Sequence, residues 1–263
     1  MTVAYRHARP CLFRHKGNRI LMYHAIGTKI ESDRRRIYTI SPARFGSHMR
    51  ILAAEQSHSL KALNLGALRD DNPGIMLTFD DGYQDNLTQA SPVLTRLGIP
   101  FTVFVTTGPV LAREPGFLSP EELRLLDRQH GVTIGAHGAT HVPLAECGDR
   151  QLKEELAGSK AYLEDLLGHS VDTFSYPHGS VNRRVRDAAE RAGFQIGATS
   201  RFDLNRFERD PLLVCRTDIW AADSDAVFSR KLAGDWDWMR WRHRDPSQNV
   251  SSIRKSGTGN PSR

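Results

Sequence analysis

Cysteine and long apolar runs are both scarce in this chain. The 263 residues include three cysteines, Cys11, Cys147 and Cys215, and no two of them have CxxC spacing. An odd number without that spacing argues against a disulfide framework or a structural zinc ribbon and favours a reducing compartment. No apolar stretch approaches the length of about 18 residues that a membrane span needs, and the basic N-terminus lacks the apolar core of a secretion signal. We therefore expect a cytoplasmic protein.

A strong excess of charge of one sign is also absent. The chain has 36 Lys and Arg against 30 Asp and Glu, a net charge of +6, which is too small an excess to indicate a nucleic-acid partner. Hydrophobic residues make up 39% and charged residues 25%, as in ordinary globular proteins. We expect a basic N-terminal extension at residues 1–18, a single domain at residues 19–245, and a disordered tail at residues 246–263, which is rich in Ser, Gly and Asn.

From residue 19 onward, short apolar runs alternate with longer amphipathic stretches, a pattern typical of parallel strands covered by helices. Seven strands are predicted, at residues 19–24, 75–79, 101–106, 132–137, 173–177, 195–200 and 212–219. Helices are predicted at residues 41–56, 85–97, 119–128, 151–167, 183–192 and 223–233. The pattern indicates an α/β barrel, in which functional residues belong at the carboxyl ends of the strands.

The polar motif TFDDGYQDN, residues 78–86, begins in the second predicted strand and continues past its end. Its adjacent carboxylates, Asp80 and Asp81, would be difficult to ionise beside a buried strand unless a cation compensated them. Taken alone, the pair is equally compatible with an ordinary turn, since Asp and Gly both favour turns.

A second motif, HGATH at residues 137–141, follows the fourth predicted strand. His137 and His141 are four residues apart, which allows both rings to reach one ion, and Asp81 lies at a nearby strand end. Two histidines and one carboxylate leave positions open for water, the arrangement of a catalytic rather than a structural metal site. Zn²⁺ suits these ligands best, while Co²⁺, Ni²⁺, Mn²⁺ and Fe²⁺ remain alternatives, as does the chemistry of non-haem iron oxygenases.

The third motif, FSYPHGSVN at residues 174–182, places Pro177 and Gly179 on either side of His178. A sharp turn there would point a backbone N–H group into the cleft, where it could stabilise an oxyanion. An ordinary Pro-x-Gly loop is the alternative interpretation.

Together, these three motifs closely resemble the polysaccharide deacetylase family, carbohydrate esterase family 4, and the similarity extends to LMYHAIG near the first strand. The resemblance implies a distorted (β/α)7 barrel and metal-dependent removal of acetyl groups from sugars. It assigns Asp80 as the catalytic base and Asp81, His137 and His141 as metal ligands. We also place Tyr83, Pro177 and Gly179 at the substrate.

Two features of the family pattern are missing. Better-known members carry an arginine where this chain has Ser175, and we expect Arg216 to supply that charge by pairing with Asp80. The usual Leu-x-His acid motif is absent as well, which leaves His24 and His178 as candidates for the general acid. A buried structural role for His24 is the alternative.

The substrate class remains broad at this stage. An acetylated sugar, an oligosaccharide or a lipid-linked glycan precursor would each present the same acetamide, and the sequence leaves the oligomeric state open. A related amidase or imidase acting on a small molecule, and a silent carbohydrate-binding relative, are the competing functions. The segment WDWMRWRHR, residues 236–244, together with Arg6, Arg9, Arg14 and Lys16, allows weak peripheral contact with the inner membrane face, although packing against the barrel is the simpler role for its tryptophans.

Overall fold

A curled sheet of seven parallel strands organises the molecule, as the sequence predicts. The structure is a computed structural model that describes residues 17–30, 33, 35–56 and 60–242. The strands are β1 (Arg19–Tyr23), β2 (Ile75–Phe79), β3 (Phe101–Val105), β4 (Val132–Ala136), β5 (Thr173–Ser175), β6 (Ile196–Ala198) and β7 (Thr217–Asp218). They lie in the order β6-β5-β4-β3-β2-β1-β7, which makes the fold a distorted (β/α)7 barrel.

The segment leading into β7 joins the two edges of the sheet. Val214 donates its N–H group to Gly197 at 2.9 Å, and Arg216 donates to Arg201 at 2.8 Å, so this segment lies alongside β6 and its continuation. The chain then pairs with β1 through Leu21 and Thr217. The strand predicted at residues 212–219 is therefore too long at its start, because Pro211–Leu213 forms a 3₁₀ turn that the Asp210 side chain caps.

Helices cover the outside of the sheet. In the described residues they are α1 (Pro42–Gln56), α2 (Leu65–Leu68), α3 (Ser91–Leu97), α4 (Thr107–Ala112), α5 (Pro120–Asp127), α6 (Asp149–Lys153), α7 (Ser159–Leu167), α8 (Arg183–Arg191) and α9 (Asp225–Ala233). Ser119 caps α5 with a capping box that Glu122 completes, and Gly168 ends α7 in the left-handed conformation. The sequence pattern misses α2 and α4, which are too short to show a helical period.

Two predicted helices contain π-helical turns. The helix predicted at residues 85–97 begins with the π-helical turn Asn86–Ala90, and Pro92 lies in the first turn of α3, where the two segments meet. The helix predicted at residues 151–167 starts earlier, at Asp149, and is divided by the π-helical turn Glu154–Gly158. Such turns are uncommon and occur frequently at functional sites.

Side chains pack on both faces of the sheet. Leu21, Leu77 and Val103 belong to the large core between the strands and the helices, whereas Met76 and Phe104 belong to a smaller cluster inside the curl. Because side chains alternate along a strand, the inward series of β2 continues from Met76 through Thr78 to Asp80. The polar site therefore lies directly above an apolar interior.

The last described segment is anchored to the barrel. Arg19, which is 2% exposed, makes a bidentate ion pair with Asp237 at 2.8 and 2.9 Å, and Trp236 packs edge-on against Trp220. Packing therefore accounts for Trp236. Among the described residues, no helix is both long and apolar enough to cross a membrane.

The other predictions about the ends of the chain fall outside the described residues. They concern the basic residues Arg6, Arg9, Arg14 and Lys16 and the disordered tail at residues 246–263.

Candidate active site

The carboxyl ends of the strands open into one cavity of about 630 Å³. His24 follows β1, Asp80 and Asp81 follow β2, and His137 follows β4. Arg216 and Asp218 reach the cavity from β7 and the segment before it. Residues separated by almost 200 positions in the chain thus converge because parallel strands end at one edge of the sheet.

Asp81, His137 and His141 form a compact group of three ligands. One ligand atom from each lies within 4.8 Å of the others. Oδ1 of Asp81 is 3.3 Å from Nε2 of His137 and 3.2 Å from Nε2 of His141. That oxygen is buried and has no hydrogen-bond partner among the described groups, as expected for an atom whose partner is a cation. The donor set fits a divalent metal ion.

Hydrogen bonding also orients one of these ligands. Nδ1 of His137 lies 2.8 Å from the carbonyl oxygen of Ser175, and a carbonyl can only accept, so Nδ1 carries the proton. Nε2 is then left with a free lone pair directed at Asp81 and His141, the arrangement that metal-binding histidines need. Burial opposes ionisation of Asp81, but without a metal ion protonated imidazoles at His137 and His141 would donate to this carboxyl, which outweighs burial and holds its pKa well below the usual value.

The backbone is strained where site residues occur. Asp81, His141 and His178 have φ angles of 76°, 56° and 57°, a region that residues with a side chain seldom adopt. Such strain is typical of sites that the surrounding structure holds in place. Substitution of these residues therefore changes backbone preference as well as chemistry.

The ion pair predicted between Asp80 and Arg216 is present and fully buried. Arg216 donates Nη1 to Oδ1 of Asp80 at 2.6 Å and Nη2 to Oδ2 at 2.7 Å. Its remaining donors bind Thr199, Thr78 and Ser175, so the guanidinium is held on every side.

Ser175 stands where the family pattern has arginine. Its hydroxyl accepts from Arg216 at 2.8 Å and donates to Asp80 at 3.1 Å. The Ser175 hydroxyl thus bridges Asp80 and the guanidinium of Arg216, which comes from the segment before β7.

The charges around Asp80 set its protonation state. Burial raises its pKa, but the charge and hydrogen bonds of Arg216 outweigh burial, and the pKa is lowered overall. Oδ2 of Asp80 lies 3.9 Å from Nε2 of His137. An ionised carboxylate therefore sits immediately beside the candidate metal ligands.

His24 and Asp218 also line the cavity, with polar atoms that have no partner. Nδ1 of His24 and Oδ1 of Asp218 are both buried, and neither meets a hydrogen-bond partner within the described part of the chain. The His24 ring packs against Tyr38 at a centroid distance of 4.4 Å. Burial raises the pKa of Asp218.

The residues of the third motif are placed differently from one another. His178 and Gly179 line the cavity, whereas Pro177 is buried and is not part of the lining. Gly179 has a φ of 64°, and a Cβ atom there would collide with the side chain of Ser200, so the turn favours glycine. Pro177 shapes the same turn, and its contact with a substrate stays a prediction.

The His178 side chain turns toward the second motif. Nε2 of His178 donates to the carbonyl of His141 at 3.1 Å, and burial together with the nearby His141 lowers the pKa of His178. The His178 ring is thus already engaged with the backbone of the second motif, whereas Nδ1 of His24 has no partner in the described residues.

Tyr83 lines the cavity beside the candidate metal ligands, and its contact with a substrate stays a prediction. It is 6% exposed and stacks on Phe117 at 4.9 Å, and burial with the nearby Asp81 raises its pKa. Tyr38 and Trp220 form further aromatic parts of the lining that the sequence analysis did not identify. No local motif marks them, because they lie in loops far apart in the chain.

The end of the first motif supports the loop after β1. Asp85 accepts from the N–H groups of Ile26 and Thr28 at 2.7 and 2.8 Å, and Asn86 donates to the carbonyl of His24 at 3.0 Å. The sequence analysis assigned no role to Asp85 and Asn86, although both stand in the quoted motif.

Known proteins are similar to this chain in sequence and in fold. The family pattern described as polysaccharide deacetylase matches residues 68–197. YxkH of Bacillus subtilis strain 168, which is assigned by name to the polysaccharide deacetylases, is 30% identical over 186 residues, or 69% of this chain and 63% of YxkH. The chain thus spans less than two thirds of that relative.

Solved structures agree with the fold. BC0361, a polysaccharide deacetylase from Bacillus cereus, is 26% identical with a TM-score of 0.70, covering 82% of this chain and 69% of BC0361. The Streptococcus pyogenes deacetylase PplD, solved in complex with acetate, has a TM-score of 0.72 at 21% identity, covering 82% of this chain and 98% of PplD. The chain is thus similar to the polysaccharide deacetylase family over the matched residues, which confirms the resemblance drawn from the motifs.

Proposed function

We propose that the protein is a metal-dependent hydrolase that removes N-acetyl groups from a carbohydrate. The observation that carries this proposal is the buried Asp80–Arg216 pair, which keeps a carboxylate ionised 3.9 Å from His137. A divalent ion held by Asp81, His137 and His141, with Zn²⁺ as the first expectation, would supply Lewis-acid activation of water and of the acetyl carbonyl.

Each remaining group has a distinct role in this proposal. Asp80 accepts the proton of the attacking water, and Arg216 keeps Asp80 ionised and oriented. The backbone N–H group of His178 stabilises the developing oxyanion. His24 protonates the departing amine, because it lines the cavity and its Nδ1 has no hydrogen-bond partner in the described residues, whereas the His178 side chain is bound to His141.

The substrate is proposed at the level of its class. Tyr83 and Gly179 line the cavity that would receive an acetylated sugar or oligosaccharide, and a lipid-linked glycan precursor would present the same group. The cytoplasmic location and the peripheral membrane contact remain predictions from the sequence.

Acetate release provides the direct test. Purified protein is incubated with N-acetylated chito-oligosaccharides before and after chelation, and Zn²⁺ is then restored. We expect chelation to abolish release and Zn²⁺ to restore it, while Asp80→Asn lowers the rate by about 10²- to 10⁴-fold with metal content unchanged. Asp71→Asn, which alters an exposed carboxylate, is the matched control and should release acetate at the wild-type rate.

The same assay separates the competing functions. Absence of acetate from every acetylated sugar, despite bound metal, would contradict the proposal and favour an amidase or a binding protein. Release that survives complete metal removal would contradict the metal dependence alone.

A further inference from the structure

The carboxylate of Glu155, which lies outside the cavity, accepts hydrogen bonds from the loop that carries two of the proposed metal ligands. We call residues 137–141 the histidine loop. Oε2 of Glu155 accepts from the N–H groups of Ala139 and Thr140 at 2.7 and 3.0 Å, and Oε1 accepts from the Thr140 hydroxyl. Two successive backbone N–H groups thus form a small anion-binding nest around one oxygen.

Glu155 is buried in a way that its sequence neighbour is not. Glu155 is 2% exposed, whereas the side chain of Glu154 is 67% exposed. Burying a carboxylate is costly unless hydrogen bonds compensate it, and the three hydrogen bonds from the histidine loop provide that compensation. Glu155 and the loop therefore depend on each other.

The opposite side of the histidine loop is held as well. Thr107 and Gly108, at the start of α4, donate to the carbonyls of Gly138 and Ala139 at 3.1 and 2.8 Å. The loop is clamped between α4 on its carbonyl side and Glu155 on its N–H side. This clamp holds His141 at its positive φ of 56°.

The glycine of the motif is explained by the same contact. Gly138 has a φ of 76°, and a Cβ atom there would lie 2.7 Å from Oε2 of Glu155. The carboxylate therefore occupies the space that any other residue at position 138 would need. The π-helical turn Glu154–Gly158 delivers Glu155 to this position.

We propose that Glu155 is a positioning residue that holds the histidine loop in the conformation needed to bind metal and thereby sets the affinity for it. The inference rests on the metal site of the proposed function. Glu155 touches neither a ligand side chain nor the cavity, and acts through the backbone of Ala139 and Thr140.

The test measures metal affinity on metal-free protein, independently of turnover. Zn²⁺ titration by calorimetry, with chelator competition for tight binding, is applied to wild type, Glu155→Ala, Glu155→Gln and the matched control Glu154→Ala. We expect Glu155→Ala to weaken Zn²⁺ binding by about 10- to 100-fold, as when other outer partners of metal ligands are removed. Glu155→Gln retains an acceptor oxygen and should stay within about threefold of wild type, and Glu154→Ala should match wild type.

A second variant covers the case in which Glu155→Ala does not fold. Gly138→Ala keeps the glutamate but displaces its carboxylate, and should weaken Zn²⁺ binding in the same direction. Wild-type affinity in either folded variant would overturn the inference, even if thermal stability fell. If wild-type protein itself bound no Zn²⁺, the proposed metal-dependent function would fail instead, so the two failures are distinguishable.

Discussion

The two sides of the cavity differ in how completely their polar groups are satisfied. We define the base side as Asp80, Ser175 and Arg216, each at most 3% exposed and joined to the others by hydrogen bonds. We define the acid side as His24 and Asp218, which contain buried atoms without partners in the described residues. The polar groups of the base side are hydrogen-bonded to one another without a ligand. The acid side still has polar atoms that a ligand could bind.

This difference fits the two roles in the proposed reaction. A base has to be ionised and oriented before the water attacks, which a fixed ion pair achieves at no reorganisation cost during the reaction. An acid has to meet a leaving group that comes with the substrate. An unpartnered buried polar atom costs about 1–3 kcal/mol, so we interpret Nδ1 of His24 as an atom that bound substrate or water satisfies.

The largest expected effect comes from Arg216→Met, which removes the ion-pair partner of Asp80 on the base side. Asp80 is then a buried charge without its partner, and unfolding free energy should fall by about 3–5 kcal/mol. Acetate release should fall by at least about 10²-fold while metal content stays unchanged. Urea unfolding, acetate assays and metal analysis measure the three quantities.

A double variant isolates the cause of that loss. Asp80→Asn combined with Arg216→Met removes the unpaired carboxylate and should recover part of the stability lost in Arg216→Met alone. Full activity in the single variant would contradict the proposed role of Arg216.

On the acid side, His24→Gln should affect turnover much more than stability. Loss of a general acid lowers kcat by about 10²-fold or more, whereas the absence of a partner for Nδ1 limits the change in unfolding free energy to about 1 kcal/mol. Steady-state kinetics and urea unfolding on the same preparation provide both numbers. If His24→Gln lowered the free energy of unfolding as much as Arg216→Met does and left kcat unchanged, His24 would instead have a structural role.

A smaller effect on acetate release is expected for Ser175→Ala. The serine hydroxyl links Asp80 to Arg216, but the bidentate pair survives without it. We expect a stability loss of about 1.5–3 kcal/mol, as for a hydrogen bond to a charged group, and only a few-fold loss of acetate release. An effect as large as that of Arg216→Met would mean that the serine, and not the bidentate geometry, organises the base.

The most subtle comparison is the pH dependence of stability in metal-free protein. Burial raises the pKa of Asp218, so its contribution to stability is present below its unfolded pKa and is lost as pH rises through the folded pKa. The pKa of Asp80 is lowered, because the charge of Arg216 outweighs the effect of burial. The contribution of Asp80 to stability is therefore present above the unfolded pKa and is lost as pH falls through the folded pKa.

Substitution by asparagine should therefore have opposite trends on the two sides. Relative to wild type, Asp218→Asn should gain stability as pH rises from about 4 to about 8, whereas the stability lost in Asp80→Asn should be nearly constant over that range and should shrink as pH falls below about 4. Urea unfolding at about pH 3, 4 and 8 measures the differences. Parallel trends for the two variants would show that the sides do not differ in the way described.

Local patterns alone were sufficient for much of the fold. The alternation of apolar runs predicted all seven strands, and the amphipathic stretches between them predicted most of the longer helices. Boundaries failed where a side chain intervened, as at Pro211–Leu213, where the Asp210 cap favours a 3₁₀ turn over a longer strand. The π-helical turns at Asn86–Ala90 and Glu154–Gly158 were also not predicted, because each depends on contacts that its side chains make with distant loops.

For the site, the sequence by itself determined the metal ligands and Asp80 as candidates, because these residues stand in short motifs at strand ends. Only the tertiary structure decided how Asp80 is held. Arg216 reaches it from 136 positions away, because the segment before β7 closes the curl of the sheet and turns the guanidinium inward above Phe104. No local pattern records that closure, since it depends on backbone pairing of that segment with β6 and its continuation, and of β7 with β1.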